Sequence, residues 1–227
     1  PMPEDMGHFR RNLEKRRFDL ISRLVPGADV SDILDLGCGS GWLSEMLQSR
    51  GFRVTALDLG FDSIRRASVR LKERSAGVSF TLGDIYHLPF GESNFDAVVA
   101  SEVLEHLDDP QAALHEMARV VRPGGCLAVT TPYRERIEET LCVHCNKKTP
   151  VNAHLHSFDE KNMERMLHEA GFTVQKCIMF INRPLERLGM AGMTFFLPYM
   201  FWRLLDTAAC GFLGRESFMA VKALRRV

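Results

Sequence analysis

Apolar residues recur at helical spacing early in the chain and in short unbroken runs after it. Phe9, Leu13, Phe18, Ile21, Leu24 and Val25 alternate with charges, which predicts an amphipathic helix over 7–25, ended by Pro26 and Gly27. Beyond it, short apolar runs alternate with helical stretches: Ile33–Leu36 then Trp42–Arg50, Phe52–Leu57 then Ser63–Arg74, and Val78–Leu82 followed by a loop. Ala97–Ala100, after Phe95 and Asp96, reads as a further strand, Gln111–Val121 as a helix, Arg122–Gly125 as a turn and Cys126–Thr130 as a strand. Strands without apolar/polar alternation are buried on both faces, and helices between them imply a parallel sheet, so the class is α/β. After a loop over about 132–156, the pattern predicts a helix at Asp159–Ala170 stopped by Gly171, and a closing pair of strands at Phe172–Ile181 and Ser217–Leu224. One domain over 1–227 is expected, with a core at 30–131 and an apolar insertion at 182–215.

Composition narrows the function classes. Of the 227 residues 45% are hydrophobic and 26% charged, which suits a globular core that needs no metal or disulfide for its main fold. Lys plus Arg and Asp plus Glu each total 29, so net charge gives no strong nucleic-acid signal. The six cysteines are scattered apart from Cys142 and Cys145, as expected of reduced thiols in a cytoplasmic protein, and the charged start contains no apolar leader.

The segment DILDLGCGSGWLSEML sets Gly37, Gly39 and Gly41 between the first strand and its helix, where open parallel sheets bind ligands. Glycine permits a sharp turn and close approach of a ligand to backbone amides. The dinucleotide pattern G-x-G-x-x-G is not met, because the third glycine comes one residue early and Trp42 stands in its place. Asp35 just before the loop would repel a pyrophosphate and attract an ammonium group, as in the aminocarboxypropyl part of S-adenosylmethionine. Asp58, ending the second strand, has two oxygens for a ribose diol; Asp84 could accept from an adenine amino group while the Ile85 N–H donates to the ring.

These residues resemble the class I S-adenosylmethionine-dependent methyltransferases, particularly the group that includes ubiquinone and menaquinone methyltransferases. The resemblance spans about 30–131 and rests on DLGCGSG (35–41), ALD (56–58), GDIYHLPF (83–90), FDAVVASEVLEHL (95–107) and RVVRPGG (119–125). It implies a Rossmann-like three-layer sandwich: a seven-stranded, mostly parallel sheet whose last strand is antiparallel. It also implies cofactor contacts from Asp35, Gly37, Gly39, Asp58, Asp84 and Ile85, with Leu59 and Ser101 flanking the adenosine and methionine portions.

Because a sulfonium methyl is already activated, transfer needs an in-line nucleophile in a dry site and sometimes a base. The loop after the fourth strand reads SEVLEHL, not the Asn/Asp-Pro-Pro-Tyr of amino methyltransferases of nucleic acids, which favours oxygen or carbon of a small acceptor. Glu102 and His106, four residues apart, would share a face of one helical turn, with His106 as candidate base. Downstream, Cys142, Cys145, His154 and His156 form C-x2-C-x8-H-x-H, a ligand set that suits zinc in a loop over 139–157. A competing reading joins Glu102, Glu105 and His106 to one of those histidines. The strings E-x2-E-H and H-x-H-x-F look like those of magnesium-type 2′-O-methyltransferases acting on small RNA ends. A non-catalytic cofactor-binding protein is the remaining alternative. Finally, LGMAGMTFFLPYMFW over 188–202 is too short to span a bilayer; it could pack in the core, wall an apolar acceptor, or serve self-association or peripheral membrane contact.

Overall fold

In the computed structural model, residues 8–27, 30–72, 77–182 and 196–227 are described. The chain runs α1 (His8–Leu24), β1 (Asp32–Leu36), α2 (Trp42–Ser49), β2 (Arg53–Asp58), α3 (Phe61–Leu71), β3 (Val78–Leu82) and β4 (Phe95–Ser101). A 3-10 turn (Leu104–His106) follows, then α4 (Pro110–Val120), β5 (Val121–Pro132), β6 (Glu139–Leu141), β7 (Lys148–Pro150), α5 (Glu160–Glu169) and β8 (Phe172–Asn182). The helix Tyr199–Leu213, here α6, and β9 (Glu216–Arg225) close the chain.

Seven strands form one sheet in the order β3-β2-β1-β4-β5-β9-β8, and β9 lies antiparallel between β5 and β8. Adjacent residues of one strand face opposite layers. Leu34, Val98 and Val129 join Leu114, Met117 and Leu167 of α4 and α5 on one side. Ile33, Val99 and Ala128 join Leu20, Ile21, Leu43 and Leu47 of α1 and α2 on the other. Burial on both faces is why these strands read as continuous apolar runs. The reversal at β1, between β2 and β4, opens a crevice at the carboxyl ends of the strands, the usual ligand position of such sheets.

Two expectations need adjustment. The 132–156 loop contains the hairpin β6–β7, three residues per strand and mostly exposed, too short to leave a periodic signal. Arg122–Gly125 does not separate helix and strand: β5 starts at Val121, and the four residues fall in a register shift opposite Phe95 and Ala97. Of the apolar insertion, 183–195 lie outside the described residues. Its remainder holds α6, which buries Trp202, Asp206 and Cys210 and exposes Met200, Phe201 and Leu204, with Phe196 exposed just before it. Among the described residues, no helix is long and apolar enough to cross a membrane.

Candidate active site

The loop from β1 into α2 turns through three left-handed glycines, Gly37 (φ 68°), Gly39 (φ 53°) and Gly41 (φ 75°). The amides of Gly37 and Cys38 both donate to Leu57 O, at 2.8 and 3.0 Å, and so pin the loop to the end of β2. A Cβ on Gly37 would sit 2.6 Å from Val103 Cγ2, so the loop packs directly against the segment that follows β4. Gly39 is different: no atom lies within 4 Å of its would-be Cβ, which leaves an open cradle over the backbone.

Asp58 is fixed at the rim of this cradle. Its Oδ2 accepts from Gly39 N at 2.9 Å and its Oδ1 from Gly60 N at 2.8 Å. Each oxygen keeps a second lone pair for a hydroxyl donor. Gly83 N donates to Asp58 O at 3.2 Å and brings the next turn alongside, where Asp84 Oδ1 accepts from Tyr86 N at 3.0 Å and Ile85 packs on the core. Leu59 stands 75% exposed beside Asp58, and Ser101 Oγ bonds Thr130 Oγ1 at 2.9 Å.

Asp35 sits deeper than expected for a direct ammonium contact. It is buried on β1 and accepts a hydrogen bond from the Ser44 hydroxyl of α2. Burial pushes its carboxyl up to about 7, against the hydrogen bond from Ser44 and reinforced by the nearby Asp58 charge. Asp35, Asp58 and Asp84 therefore belong to neighbouring strands and turns at one end of the sheet, two at the rim and one beneath it.

The segment after β4 departs from the helical turn expected for Glu102 and His106. Glu102 has φ 55° and precedes a 3-10 turn of three residues, so the two do not share a helical face. Glu102 instead meets Arg17 of α1, with Arg17 Nη1 3.3 Å from its Oε2. Burial raises its pKa and the Arg17 charge opposes that rise. Glu105, next to the turn's start, is fully buried, and neither carboxylate oxygen has a hydrogen-bond partner. Burial, then repulsion from Glu102, pushes its carboxyl up to about 9.

The four residues of the expected zinc set do not converge. Cys142 and Cys145 lie in the β6–β7 turn, closed by Cys142 N to Lys147 O at 2.9 Å and Asn146 N to Cys142 O at 2.8 Å. His154 and His156 run along the 3-10 turn instead, where Leu155 N donates to Glu105 O at 2.7 Å. His156 Nε2 donates to Leu107 O at 2.8 Å, which removes that nitrogen from any ligand role. His154 Nδ1 bonds the Glu135 carboxylate, and its ring meets that of His106 edge-on at 4.7 Å. Regular spacing suggested a ligand set, but a β-hairpin turns the cysteines onto their own tip while the histidines are held by backbone contacts to residues 105–107. Separately, a 450 Å³ cavity between α1 and α2, lined by Phe18, Trp42, Glu45 and Met46 among others, shares no residue with either half of the site.

Residues 34–129 match the methyltransferase domain family. The ubiquinone biosynthesis O-methyltransferase of Nitrosospira multiformis is 30% identical over 168 residues, covering 71% of this chain and 70% of that protein. The enzyme of the same name from Alkalilimnicola ehrlichii is 35% identical over 51% of this chain and 47% of its own. The malonyl-[acyl-carrier protein] O-methyltransferase of Salmonella typhimurium is 35% identical over 53% and 46%. The chain thus spans about half the length of these last two relatives. In fold, it is similar to an S-adenosylmethionine-dependent methyltransferase from Mesorhizobium loti (TM-score 0.64, 18% identity, 92% of this chain and 98% of that one) and to the cyclase SpnF (TM-score 0.69, 21% identity, 93% and 80%). Such likeness to solved structures shows the fold alone, since one scaffold hosts several chemistries. Together with the glycine cradle and its three acids, the relationship to the Nitrosospira protein establishes that this chain belongs to the family of S-adenosylmethionine-dependent methyltransferases.

Proposed function

We propose that this chain binds S-adenosylmethionine at the β1–α2 loop and transfers its methyl group to an oxygen of a small acceptor. The observation that carries the reading is Asp58, whose carboxylate is locked by the Gly39 and Gly60 amides at the mouth of an open glycine cradle. Gly37, Gly39 and Gly41 give the cofactor's tail access to backbone, Asp58 takes the ribose diol, and Asp84 with Ile85 takes the purine edge. Leu59 and Ser101 flank the nucleoside and methionine ends, and Asp35 lies beneath the loop, where a bound ammonium group favours its charged form. When bound, the cofactor supplies an activated methyl on sulfur; the chain's residues orient the acceptor, keep water out and handle its proton.

In this reading His106 takes the last of these tasks. Its Nδ1 bonds Ala153 O at 3.1 Å, so that nitrogen carries the hydrogen and Nε2 keeps a lone pair able to take a proton. Glu102, paired with Arg17, braces α1 against the loop after β4 and sets the approach to His106. Oxygen as acceptor atom is supported by the printed names of the relatives, both kinds being O-methyltransferases. An apolar acceptor is supported by the exposed Phe196, Met200 and Phe201.

The test is incubation of the protein with methyl-labelled S-adenosylmethionine and fractionated small-molecule extract. Label in an alkali-stable, solvent-extractable ether together with release of S-adenosylhomocysteine is expected. Tight binding of S-adenosylhomocysteine without turnover in any fraction would replace this reading with a non-catalytic binder.

A further inference from the structure

The glycine-loop site uses neither Cys142 nor Cys145, yet the turn that carries them is tightly held. Cys142 O accepts from Asn146 N at 2.8 Å, which closes one helical turn around Val143, His144 and Cys145. Asn146 then takes the left-handed region (φ 54°), and Cys142 N donates to Lys147 O at 2.9 Å, so the chain doubles back into β7. Residues three apart on one helical turn lie side by side, with Cα atoms about 5 Å apart. A disulfide spans Cα separations of about 4.4–6.8 Å, so this backbone suits one. Cys142 is half-buried and Cys145 exposed, on a hairpin whose strands are themselves mostly exposed.

Chemically the pair stands apart from the other four thiols. Hydrogen bonding from the backbone of His144 and Cys145, and then from the Cys145 thiol, holds the Cys142 thiol below its ordinary range. The others go the opposite way. Burial pushes Cys126 and Cys177 up to about 11 and Cys210 up to about 12, and it raises Cys38 as well. The thiolate is the nucleophile in thiol–disulfide exchange, so the surroundings favour Cys142 as the attacking sulfur and place a second thiol beside it.

We propose that Cys142 and Cys145 form a redox-active dithiol that exchanges with low-molecular-weight disulfides, Cys142 attacking and Cys145 resolving. The inference goes beyond methyl transfer and does not depend on it. In the first step the Cys142 thiolate attacks one sulfur of the small disulfide. A bond from Cys142 to that sulfur forms, the reagent's S–S bond breaks, and its electron pair leaves on the departing thiolate. Cys145, deprotonated in turn, attacks the Cys142 sulfur, closes the Cys142–Cys145 bond and expels the second small thiolate. The two protons given up by the cysteines end on the two small thiols. The dithiol is thus oxidised by two electrons and the small disulfide reduced by the same two. Because the turn already sets the cysteines side by side, closure orders little further chain, which favours resolution over a standing mixed disulfide.

The experiment is equilibration of the chelator-treated full chain with mixtures of reduced and oxidised glutathione, followed by rapid alkylation and peptide mass spectrometry. A disulfide joining Cys142 to Cys145 is expected, with the other four thiols alkylated. In Cys145→Ser, glutathione should stay attached at Cys142. In Cys142→Ser, attachment at Cys145 should be at least about tenfold slower than attachment at Cys142 in Cys145→Ser. Urea unfolding midpoints of both variants should match wild type, which keeps a lost disulfide from being read as a lost fold. Folded wild-type chain that forms no Cys142–Cys145 disulfide in a large excess of oxidised glutathione would overturn the proposal. Equal attachment rates in the two variants would overturn the assignment of Cys142 as the attacking sulfur. One equivalent of zinc retained through chelator treatment, shielding both thiols from alkylation, would overturn the dithiol in favour of a metal held by the turn.

Discussion

Around Gly37–Gly41 the chain builds its site from backbone, whereas around Glu105 it builds from side chains contributed by separate segments. On the first side, left-handed glycines, the Leu57 carbonyl and the amides held by Asp58 set the shape, all within one βαβ stretch. On the second side, Arg17 of α1, the turn after β4, Glu135 and His154 meet across long sequence separations. The first kind of site tolerates no added atom at its tight points but depends little on which side chains lie nearby. The second depends on distant segments docking correctly.

Adding one methyl to the backbone-built side gives the largest expected effect. Gly37→Ala puts a Cβ at φ 68° and against Val103, so a loss of about 2–5 kcal/mol from left-handed strain and overpacking is expected in denaturant unfolding. S-adenosylhomocysteine binding should vanish with it. If Gly37→Ala binds normally, the contrast between the two sides fails at its root.

Asp35 comes next, through pH. Its folded-state carboxyl titrates near 7, above the 3.8 of the free group, so the native state keeps a proton that the unfolded chain has released. The stabilisation from this group is complete below about pH 4 and is lost as pH rises through about 7. The whole change amounts to up to about 4 kcal/mol. Asp35→Asn should therefore gain stability relative to wild type between pH 4 and 8. In wild type, bound S-adenosylhomocysteine should flatten the trend if its ammonium group offsets the Asp35 charge. Equal slopes in variant and wild type, measured by urea unfolding at each pH, would remove Asp35 as the source.

Asp58→Ala should weaken S-adenosylhomocysteine binding about 10–100-fold, the loss of charge-assisted hydrogen bonds worth about 1.5–3 kcal/mol. On the side-chain-built half, Arg17→Met should cost about 1–3 kcal/mol of stability by leaving Glu102 without its counter-charge, and should raise the acceptor KM more than the cofactor KM. Cys142→Ser is the smallest change. It lies half-buried in the β6–β7 turn and should shift stability and cofactor affinity by no more than about 0.5 kcal/mol each.

The geometry of the glycine-loop half was legible in sequence because its signals are local. Gly37, Gly39, Gly41 and Asp58 follow strands whose apolar runs announce them, and strand ends in a parallel sheet meet at one edge whatever the helices do. The closing antiparallel pair was legible for a similar reason, since Phe172–Asn182 and Glu216–Arg225 keep their strand character on either side of the insertion. The β6–β7 hairpin was not, because three-residue strands carry no period.

By itself, then, the sequence determined the α/β class, the place of the glycine loop and the acids beside it, because hydrophobic period and strand-end position are properties of neighbouring residues. The tertiary structure decided which titratable groups meet. Spacing grouped Cys142, Cys145, His154 and His156, but docking of 153–156 along 105–107 brought His154 to His106 and Glu105 and left the cysteines at the hairpin tip. It also buried Asp35 and paired Glu102 with a helix more than eighty positions away. Such contacts depend on how separate segments pack, and no local pattern encodes the distance between side chains that only folding brings together.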